Sequence, residues 1–323
     1  MSVNTKIPNQ QADPSQEWLG YLLGLIGVLI FAGTLPATRF VIDTFDPWFI
    51  TFGRAVIASL AAILILLAVR RRLPTDRALR FFWIGILLVY GFPGFVALAM
   101  TSVPSSHGAV ILGILPLATA MFAALWAGER PSPLFWVCGI VGAVLIAAFA
   151  IDDSGWSLVA GDFWLVAAGL SAAAGYVLSG KLTAEMPGWE VICRALVWTA
   201  PISLALSIWL WDSTYLAADT GEFIAFSYLG LGSMLLGFFA WNAGLQLGGI
   251  SKVGQLQLLQ TFFTLGISAV LLDETITAFM VLFAVAILIV VLIGKRASVT
   301  RTAVPIKPDS AIARATANEK KKD

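Results

Sequence analysis

The sequence predicts an all-α polytopic membrane protein that crosses the bilayer ten times. Of its 323 residues, 59% are hydrophobic and only 12% are charged, whereas a typical soluble domain has about 25% charged residues. The apolar residues form ten runs, each long enough to cross about 30 Å of hydrocarbon as a helix. The charged residues are concentrated between these runs. Together these observations exclude an ordinary soluble enzyme, a disordered chain and a nucleic-acid binder.

The ten runs set the predicted organisation of the chain. They cover residues 19–40, 47–69, 79–100, 106–127, 133–151, 161–180, 190–211, 223–247, 252–272 and 276–294. Residues 1–18 form a polar N-terminal tail. Residues 295–323 form a basic C-terminal tail without a periodic apolar face, and this composition predicts disorder.

The distribution of positive charge predicts the orientation of the chain in the membrane. The connection between the second and third runs contains Arg70, Arg71, Arg72, Arg77 and Arg80, and the C-terminal tail contains eight further Lys and Arg residues. With ten crossings, these two segments lie on the same side, which the positive-inside rule assigns to the cytoplasm. Both termini are therefore predicted to be cytoplasmic.

Two pairs of motifs indicate an internal repeat. Pro47 is followed seven residues later by Arg54, and Pro187 is followed seven residues later by Arg194, with an alanine after each arginine. The two arginines are 140 residues apart. Glu129, at the end of the fourth run, and Glu274, at the end of the ninth, are 145 residues apart. Two landmarks in the same order at nearly the same offset predict a duplication.

The duplication divides the chain into residues 19–151 and residues 161–294, with five runs in each half. Because five is an odd number, the second half enters the membrane from the opposite face. Inverted repeats of this kind are the architecture of secondary transporters, in which one central site is exposed to each side in turn. The sequence therefore predicts alternating access.

These motifs resemble the EamA family of the drug/metabolite transporter superfamily. The resemblance rests on the five-plus-five arrangement, the Arg-Ala pairs, the closing glutamates and the segment 105–133, which contains Pro116 in mid-helix and then Gly-Glu-Arg. It implies export of amino acids, other metabolites or organic cations, and it does not distinguish these substrates. Two departures make the halves unequal: Thr261 stands near the position of the second mid-helix proline, and Asp-Glu-Thr at 273–275 replaces Gly-Glu.

The ninth run carries a polar stripe. Gln257, Gln260, Thr261 and Thr264 recur at helical spacing, so they share one face of the helix. Such a stripe can join helices through hydrogen bonds. The segment contains three glutamines within six residues, Gln255, Gln257 and Gln260. This density favours the other interpretation, a water-filled cavity that binds substrate.

A second group of candidate substrate-binding residues combines amides, aromatic rings and a histidine. Its members are Asn242 and Gln246 next to Trp241 in the eighth run, Tyr90 in the third, Tyr176 in the sixth and His107 in the fourth. The aromatic residues either line the cavity or, as most aromatic residues in a membrane bundle do, face lipid or fill packing gaps. A histidine side chain suits a proton relay or a substrate contact, while the alternative for His107 is a polar residue at a helix end in the interface.

Five residues are candidates for structural or gating roles. Arg54 and Arg194 lie about 10 Å inside their helices. A charge there either binds a carboxylate or acts in gating, or it snorkels towards the interface and bonds helix-end carbonyls. Glu129 and Glu274 are predicted to cap the N-terminus of the next helix. Pro116 is predicted to bend the fourth helix.

The resulting functional prediction is a secondary transporter of the bacterial inner membrane. It exports small polar metabolites such as amino acids by facilitated diffusion or exchange, and the alternative is a proton-coupled multidrug or organic-cation exporter. No aspartate or glutamate lies in the interior of a run, which favours a neutral or zwitterionic solute over a cation.

The sequence predicts neither catalysis nor a cofactor. The runs contain no carboxylate pair, no Ser/His pair and no metal-binding cluster, and the two cysteines and one histidine cannot form one. The expected partners are a small-molecule solute and the lipid bilayer, with no nucleic acid, and the protein is expected to act as a monomer.

Overall fold

The computed structural model describes residues 14–71, 77–127, 130–153, 158–183, 185–248, 254–296 and 299–300. The predicted disorder of the C-terminal tail concerns residues that lie mostly outside this part of the chain. The first helix begins at Pro14, so the last residues of the predicted N-terminal tail are helical.

The described part of the chain contains ten apolar helical segments, here numbered 1–10. Eight are long enough to cross a membrane: Trp18–Val41, Pro47–Ala68, Ala78–Met100, Ser105–Trp126, Pro133–Asp152, Ala160–Thr183, Gly188–Trp209 and Thr220–Leu247. Segments 9 and 10 are shorter apolar helices, Leu256–Leu271 and Ala278–Gly294. The all-helical prediction is confirmed for the described residues, apart from a two-residue antiparallel pairing of Arg130–Pro131 with Val299–Thr300. The count of ten crossings stays a prediction.

Local sequence explains where several helices begin. Asp46 accepts hydrogen bonds from the backbone N–H groups of Trp48 and Phe49 at 2.8 and 3.2 Å, and Pro47 occupies the first helical position, where it needs no hydrogen-bond donor. Segment 8 begins with a capping box between Asp219 and Glu222. These polar starts place the helix ends at the water-facing edges of the bundle.

Four segments are interrupted near their middle, and a fifth, segment 9, is irregular at its start. Segment 1 consists of Pro14–Ala32 and Thr34–Val41, and segment 4 of Ser105–Leu112 and Leu115–Ala127. Segment 9 begins as a 3₁₀-helix, Gly254–Leu259, before the α-helix Gln260–Leu271. Segments 3 and 8 widen into π-helix over Ile86–Gly91 and Tyr228–Leu236, between the α-helices Ala78–Gly85 and Phe92–Met100 and between Thr220–Ser227 and Gly237–Gly248.

The other five segments are continuous helices: Pro47–Ala68, Pro133–Asp153, Ala160–Thr183, Gly188–Trp209 and Ala278–Arg296. The helix Gly188–Trp209 continues through Pro201. The short 3₁₀-helix Ser213–Ala217 connects segments 7 and 8. It starts at Asp212, and the hydrogen bond from the Thr214 N–H holds the pKa of that carboxyl below its ordinary value.

The packing of the segments follows a regular pattern. Segment 1 packs on segment 8, and segment 6 packs on segment 3. Segments 2 and 7, 4 and 9, and 5 and 10 pack on each other. Shifting every segment number by five exchanges the first two of these pairs and leaves the other three unchanged. The interrupted segments 3 and 8, and 4 and 9, correspond under the same shift.

Close backbone contact joins segments 1 and 8. A Cβ atom added at Gly244 would lie 2.5 Å from the backbone nitrogen of Gly24, and one added at Gly27 would lie 2.8 Å from the backbone nitrogen of Trp241. Small residues of this kind allow helices to approach in a membrane. Segment 5, by contrast, exposes large apolar side chains such as Val137, Ile140 and Val144, which suits contact with lipid.

The predicted orientation can be tested with single cysteines at corresponding connections of the two halves. In a background without Cys138 and Cys193, we expect Arg70→Cys to react with a membrane-impermeant maleimide only from the cytoplasm and Ser213→Cys only from outside. Both positions are exposed, so reactivity reports the side of the membrane. Labelling of both cysteines from the same side would contradict the opposite orientation of the halves.

Candidate functional site

A cavity lies at the centre of the bundle, where the interrupted segments meet. The space in it that the centre of a water-sized sphere can reach is about 40 Å³, which is enough for a few water molecules. Its polar lining residues are Thr34, Arg54, Tyr176, Ser233, Gln257, Gln260, Thr261 and Thr264, and its larger apolar ones are Phe31, Leu35, Leu88, Phe92, Met234 and Phe238. No aspartate or glutamate is among the described lining residues.

Irregular backbone forms much of this wall. Thr34 and Leu35 follow the break in segment 1, Pro116 follows the break in segment 4, and Leu88 and Ser233 belong to the π-helical stretches of segments 3 and 8. Non-helical backbone at membrane depth is tolerated only where protein or water surrounds it. The interruptions therefore coincide with a place in the bundle where polar groups face a space.

The polar stripe of segment 9 divides into two parts. Gln257, Gln260 and Thr261 line the cavity, and the amides of both glutamines have no hydrogen-bond partner within the described part of the chain. Thr264 also lines the cavity, but its hydroxyl donates to the Ala32 carbonyl at 2.9 Å, and Ser268 donates to the Thr264 carbonyl at 2.8 Å. The two glutamines are thus available to a solute, whereas the end of the stripe joins helices.

Arg54 is the charged group of the cavity wall. Its Nε donates to the Leu229 carbonyl at 3.1 Å and its Nη2 to the Ser233 hydroxyl at 3.1 Å, so a residue of the first half binds segment 8 of the second. Ser233 also exchanges a hydrogen bond of 2.7 Å with Thr34. The side chain is 2% exposed, which excludes a snorkelling position.

Four other predicted binding residues lie elsewhere in the bundle. The Tyr90 hydroxyl donates to the Thr199 carbonyl at 2.6 Å and contacts the Ser203 hydroxyl at 2.8 Å, which joins segments 3 and 7. Asn242 donates to the Gly188 carbonyl at 3.1 Å. Trp241 packs in the core shared by segments 1 and 8, and Gln246 is exposed. Tyr176 does line the cavity.

His107 lies outside the cavity in a buried ion pair or hydrogen bond with Asp162. Its Nε2 is 2.7 Å from Asp162 Oδ1, and the ring centroid is 5.0 Å from that of Phe149. Asp162 also accepts a hydrogen bond from the Val159 N–H at 2.9 Å. This pair joins segments 4 and 6, and no lipid-interface position is consistent with a His107 side chain that is 1% exposed.

A cluster of charges closes the end of the bundle that the charge pattern assigns to the cytoplasm. Arg194 forms a buried ion pair with Glu190, and Arg71 Nε lies 3.9 Å from the same carboxylate. Arg77 pairs with Glu185 nearby. Arg194 is therefore neutralised by a carboxylate of its own helix, unlike Arg54.

At the opposite end, Glu274 joins the two halves. Its carboxylate accepts hydrogen bonds from the backbone N–H groups of Ser105 and Ser106 at 2.9 and 2.8 Å and from the Ser105 hydroxyl at 2.9 Å. Ser105 in turn contacts the Ser268 hydroxyl at 2.7 Å. Glu274 thus caps segment 4, whereas the sequence analysis expected it to cap the next helix along the chain. Glu129 lies outside the described residues.

Sequence reasoning missed several members of this arrangement. Ser233 and Thr34 gave no signal, because single hydroxyls are common in packed membrane helices. Glu190 and Asp162 stand at the ends of predicted runs, where acids are common, yet both are buried. The four-residue spacing of Glu190 and Arg194 was a usable signal, since residues so spaced are neighbours on a helix.

Comparison with known proteins shows which family this chain belongs to. Its apolar helices surround a polar cavity, as expected of a multi-pass membrane transport protein. The model of the EamA-like transporter family matches residues 18–151 and again residues 159–294. The chain belongs to this family, and the predicted resemblance is confirmed.

Individual relatives agree with this assignment. The chain is 41% identical over 278 residues to the "Uncharacterized transporter YdeK" of Bacillus subtilis, an alignment that covers 86% of this chain and 97% of that protein. It is 25% identical over 227 residues to a "Probable terminal-alkyne amino-acid exporter" of Streptantibioticus cattleyicolor, covering 68% and 73% of the two chains. A protein solved by crystallography shares the fold with a TM-score of 0.59 at 20% identity, covering 86% of this chain and 98% of that one.

Replacement of the free glutamines tests whether they contact solute. We expect Gln257→Leu and Gln260→Leu each to weaken solute binding about tenfold, because each loses a hydrogen bond worth about 1–3 kcal/mol when its partner is left unsatisfied. Gln246→Leu is the matched control, since Gln246 is exposed and outside the cavity. Unchanged transport in the two single variants and in their double variant would leave the glutamines with a packing role.

A double-mutant cycle tests the Glu190–Arg194 pair at the predicted cytoplasmic end. We expect Glu190→Gln to lower the free energy of unfolding by about 3–5 kcal/mol, because Arg194 becomes a buried charge without its partner. The double variant Glu190→Gln/Arg194→Gln should lose less, since it buries no uncompensated charge. Thermal unfolding of the purified protein in detergent measures the effect, and simple addition of the two single losses would show that the pair is not coupled.

Proposed function

We propose that this protein exports a small polar metabolite, such as an amino acid, across the bacterial inner membrane by alternating access. The observation that carries the proposal is the central cavity, in which unpaired amides and one buried charge face a space between the two halves. Transporters commonly bind their solutes in such a place, near the bilayer midplane and beside discontinuous helices.

The internal symmetry of the bundle supports the alternating-access mechanism. The segment pairs map onto one another when their numbers shift by five, and the family model matches once in each half. The interrupted segments 3 and 8, and 4 and 9, also correspond. Two similar halves of opposite orientation would let the bundle adopt two related shapes, one open to each side.

Polar contacts at the two ends are candidate gates. Glu190, Arg194 and Arg71 meet at the predicted cytoplasmic end, and Glu274 meets Ser105 and Ser106 at the other. Each set joins different segments. Opening the cavity to one side would separate one of these sets while the other remains closed.

The cavity chemistry favours a neutral or zwitterionic solute over an organic cation. The described wall combines amides, hydroxyls and the guanidinium of Arg54 with no carboxylate, so a cation without an anionic group would be repelled. Amino acids are the first candidates, and the exporter from Streptantibioticus carries an amino acid in its name. We further propose facilitated diffusion or exchange, because no carboxylate in the described cavity wall is available to carry a proton.

Exchange across sealed proteoliposomes tests transport directly. With unlabelled leucine inside and labelled leucine outside, we expect transient accumulation of label that protein-free liposomes lack. The double variant Gln257→Leu/Gln260→Leu is the matched control and should exchange more slowly. Expression in a bacterial host should also raise the tolerated concentration of a toxic amino-acid analogue, as export requires.

Two results would contradict the proposal. The absence of exchange for all twenty amino acids would remove them as substrates. Accumulation above equilibrium that is driven by a pH gradient alone, with the membrane potential clamped, would replace exchange by proton coupling and return attention to His107 and Asp162.

A further inference from the structure

The two corresponding arginines of the repeat have different electrostatic environments. Arg194 has Glu190 four residues before it and forms an ion pair with that carboxylate. At the corresponding position before Arg54, 140 residues earlier than Glu190, the chain carries Ile50, which is 1% exposed. The first half therefore retains the arginine and lacks its intramolecular counter-ion.

The contacts of Arg54 leave its charge uncompensated. Its two described hydrogen bonds are to a carbonyl and a hydroxyl, and none of the ion pairs in the described part of the chain involves it. A guanidinium has five N–H donors and stays protonated in proteins. Two donors are occupied, so the remaining donors of a buried cation are available in the cavity wall. A buried charge at membrane depth is costly without a partner.

From these observations we propose that Arg54 binds the carboxylate of the transported solute, in the place that Glu190 takes beside Arg194. This assignment rests on the proposed transport function and specifies its substrate class. Guanidinium and carboxylate groups form paired, charge-assisted hydrogen bonds. A bound carboxylate would satisfy the free donors and compensate the buried charge at the same time.

The remaining wall defines the rest of the substrate. Gln257, Gln260 and Thr261 present side-chain oxygens that accept hydrogen bonds from an ammonium group. Phe31, Phe92 and Phe238, with other apolar side chains, form a surface that suits an apolar substituent. The substrate class is therefore a monocarboxylate, above all an α-amino acid, with an apolar side chain.

Three probes separate the groups that this site recognises. Leucine has both charged groups, leucinamide lacks the carboxylate, and 4-methylpentanoate lacks the amine. Binding is measured with the full-length protein in lipid nanodiscs. We expect the wild-type protein to bind leucine at least about tenfold more tightly than leucinamide, and to bind 4-methylpentanoate in competition with leucine.

Substitution of Arg54 should remove the preference for the carboxylate. Arg54→Gln is expected to weaken leucine binding about tenfold to 100-fold and to abolish discrimination against leucinamide, while Arg54→Lys should keep part of both. The double variant Glu190→Gln/Arg194→Gln removes the corresponding arginine together with its partner and should leave the leucine-to-leucinamide ratio unchanged.

A second variant keeps the test decisive if Arg54→Gln does not fold. Ile50→Glu supplies a carboxylate four residues before Arg54, as Glu190 does for Arg194. This carboxylate should form an ion pair with Arg54 and so abolish the preference for leucine over leucinamide. A wild-type ratio near one, or a ratio that survives in Arg54→Gln or Ile50→Glu, would overturn the assignment.

The outcome also separates this inference from the transport function itself. If leucine is exchanged but Arg54 does not affect the discrimination against leucinamide, the transport function stands and Arg54 is not the carboxylate-binding residue. If no amino acid is exchanged but 4-methylpentanoate binds in an Arg54-dependent way, amino acids are not the substrates and Arg54 is still a carboxylate-binding residue.

Discussion

The architecture depends on one constraint, which is that backbone N–H and C=O groups must find partners inside the hydrocarbon. Helices satisfy this requirement along their length, and any interruption exposes polar groups that cost several kcal/mol each when they remain unpaired in lipid. Five segments are nevertheless interrupted or irregular, and these irregularities gather around one cavity. Arg54 and Thr264 use freed or available carbonyls there as hydrogen-bond acceptors. The interrupted helices thus meet at the cavity, where their unpaired backbone groups find hydrogen-bond partners.

The duplication explains how the two halves came to differ in chemistry while sharing their packing. Arg194 and its partner Glu190 close one end of the bundle as a neutral pair. Arg54, at the corresponding position, faces the central space without a carboxylate. Because the two environments arise from one motif, the difference depends mainly on a single position, Glu190 in one half and Ile50 in the other. The missing counter-ion is the feature that makes Arg54 the proposed carboxylate-binding residue.

The sequence predicted the fold far better than the site. Segment boundaries follow from runs of about twenty apolar residues, and the predicted and observed limits differ by only a few residues. The polar face of segment 9 could also be predicted, since Gln257 and Gln260 recur at helical spacing. Tyr90 and Asn242 could not be placed in this way, because a polar group that lines a cavity and one that bonds a neighbouring helix have the same sequence signature. Only the packing partner, here Thr199 or Gly188, separates the two roles.

The chemistry of the two ends fits the proposed alternating-access cycle, in which each end would open and close in turn. A carboxylate bound to N–H and hydroxyl donors, as Glu274 is, contributes a net stabilisation of only about 1.5–3 kcal/mol per hydrogen bond, because water replaces the lost partner on opening. An apolar plug of the same area would instead expose its surface to water at about 25 cal/mol per Å². Hydrogen bonds and ion pairs at the two ends would therefore keep the two conformations of the proposed alternating-access cycle close in free energy. The Glu190–Arg194 pair lies within one helix and contacts another segment through Arg71, whose Nε is 3.9 Å from the same carboxylate. Opening at this end would hydrate these charges, which are costly to bury. Under this mechanism the centre of the bundle must behave differently from its ends. Water cannot fully solvate Arg54 while either gate is closed. A bound carboxylate would then compensate its charge, as water compensates the charges at an open end.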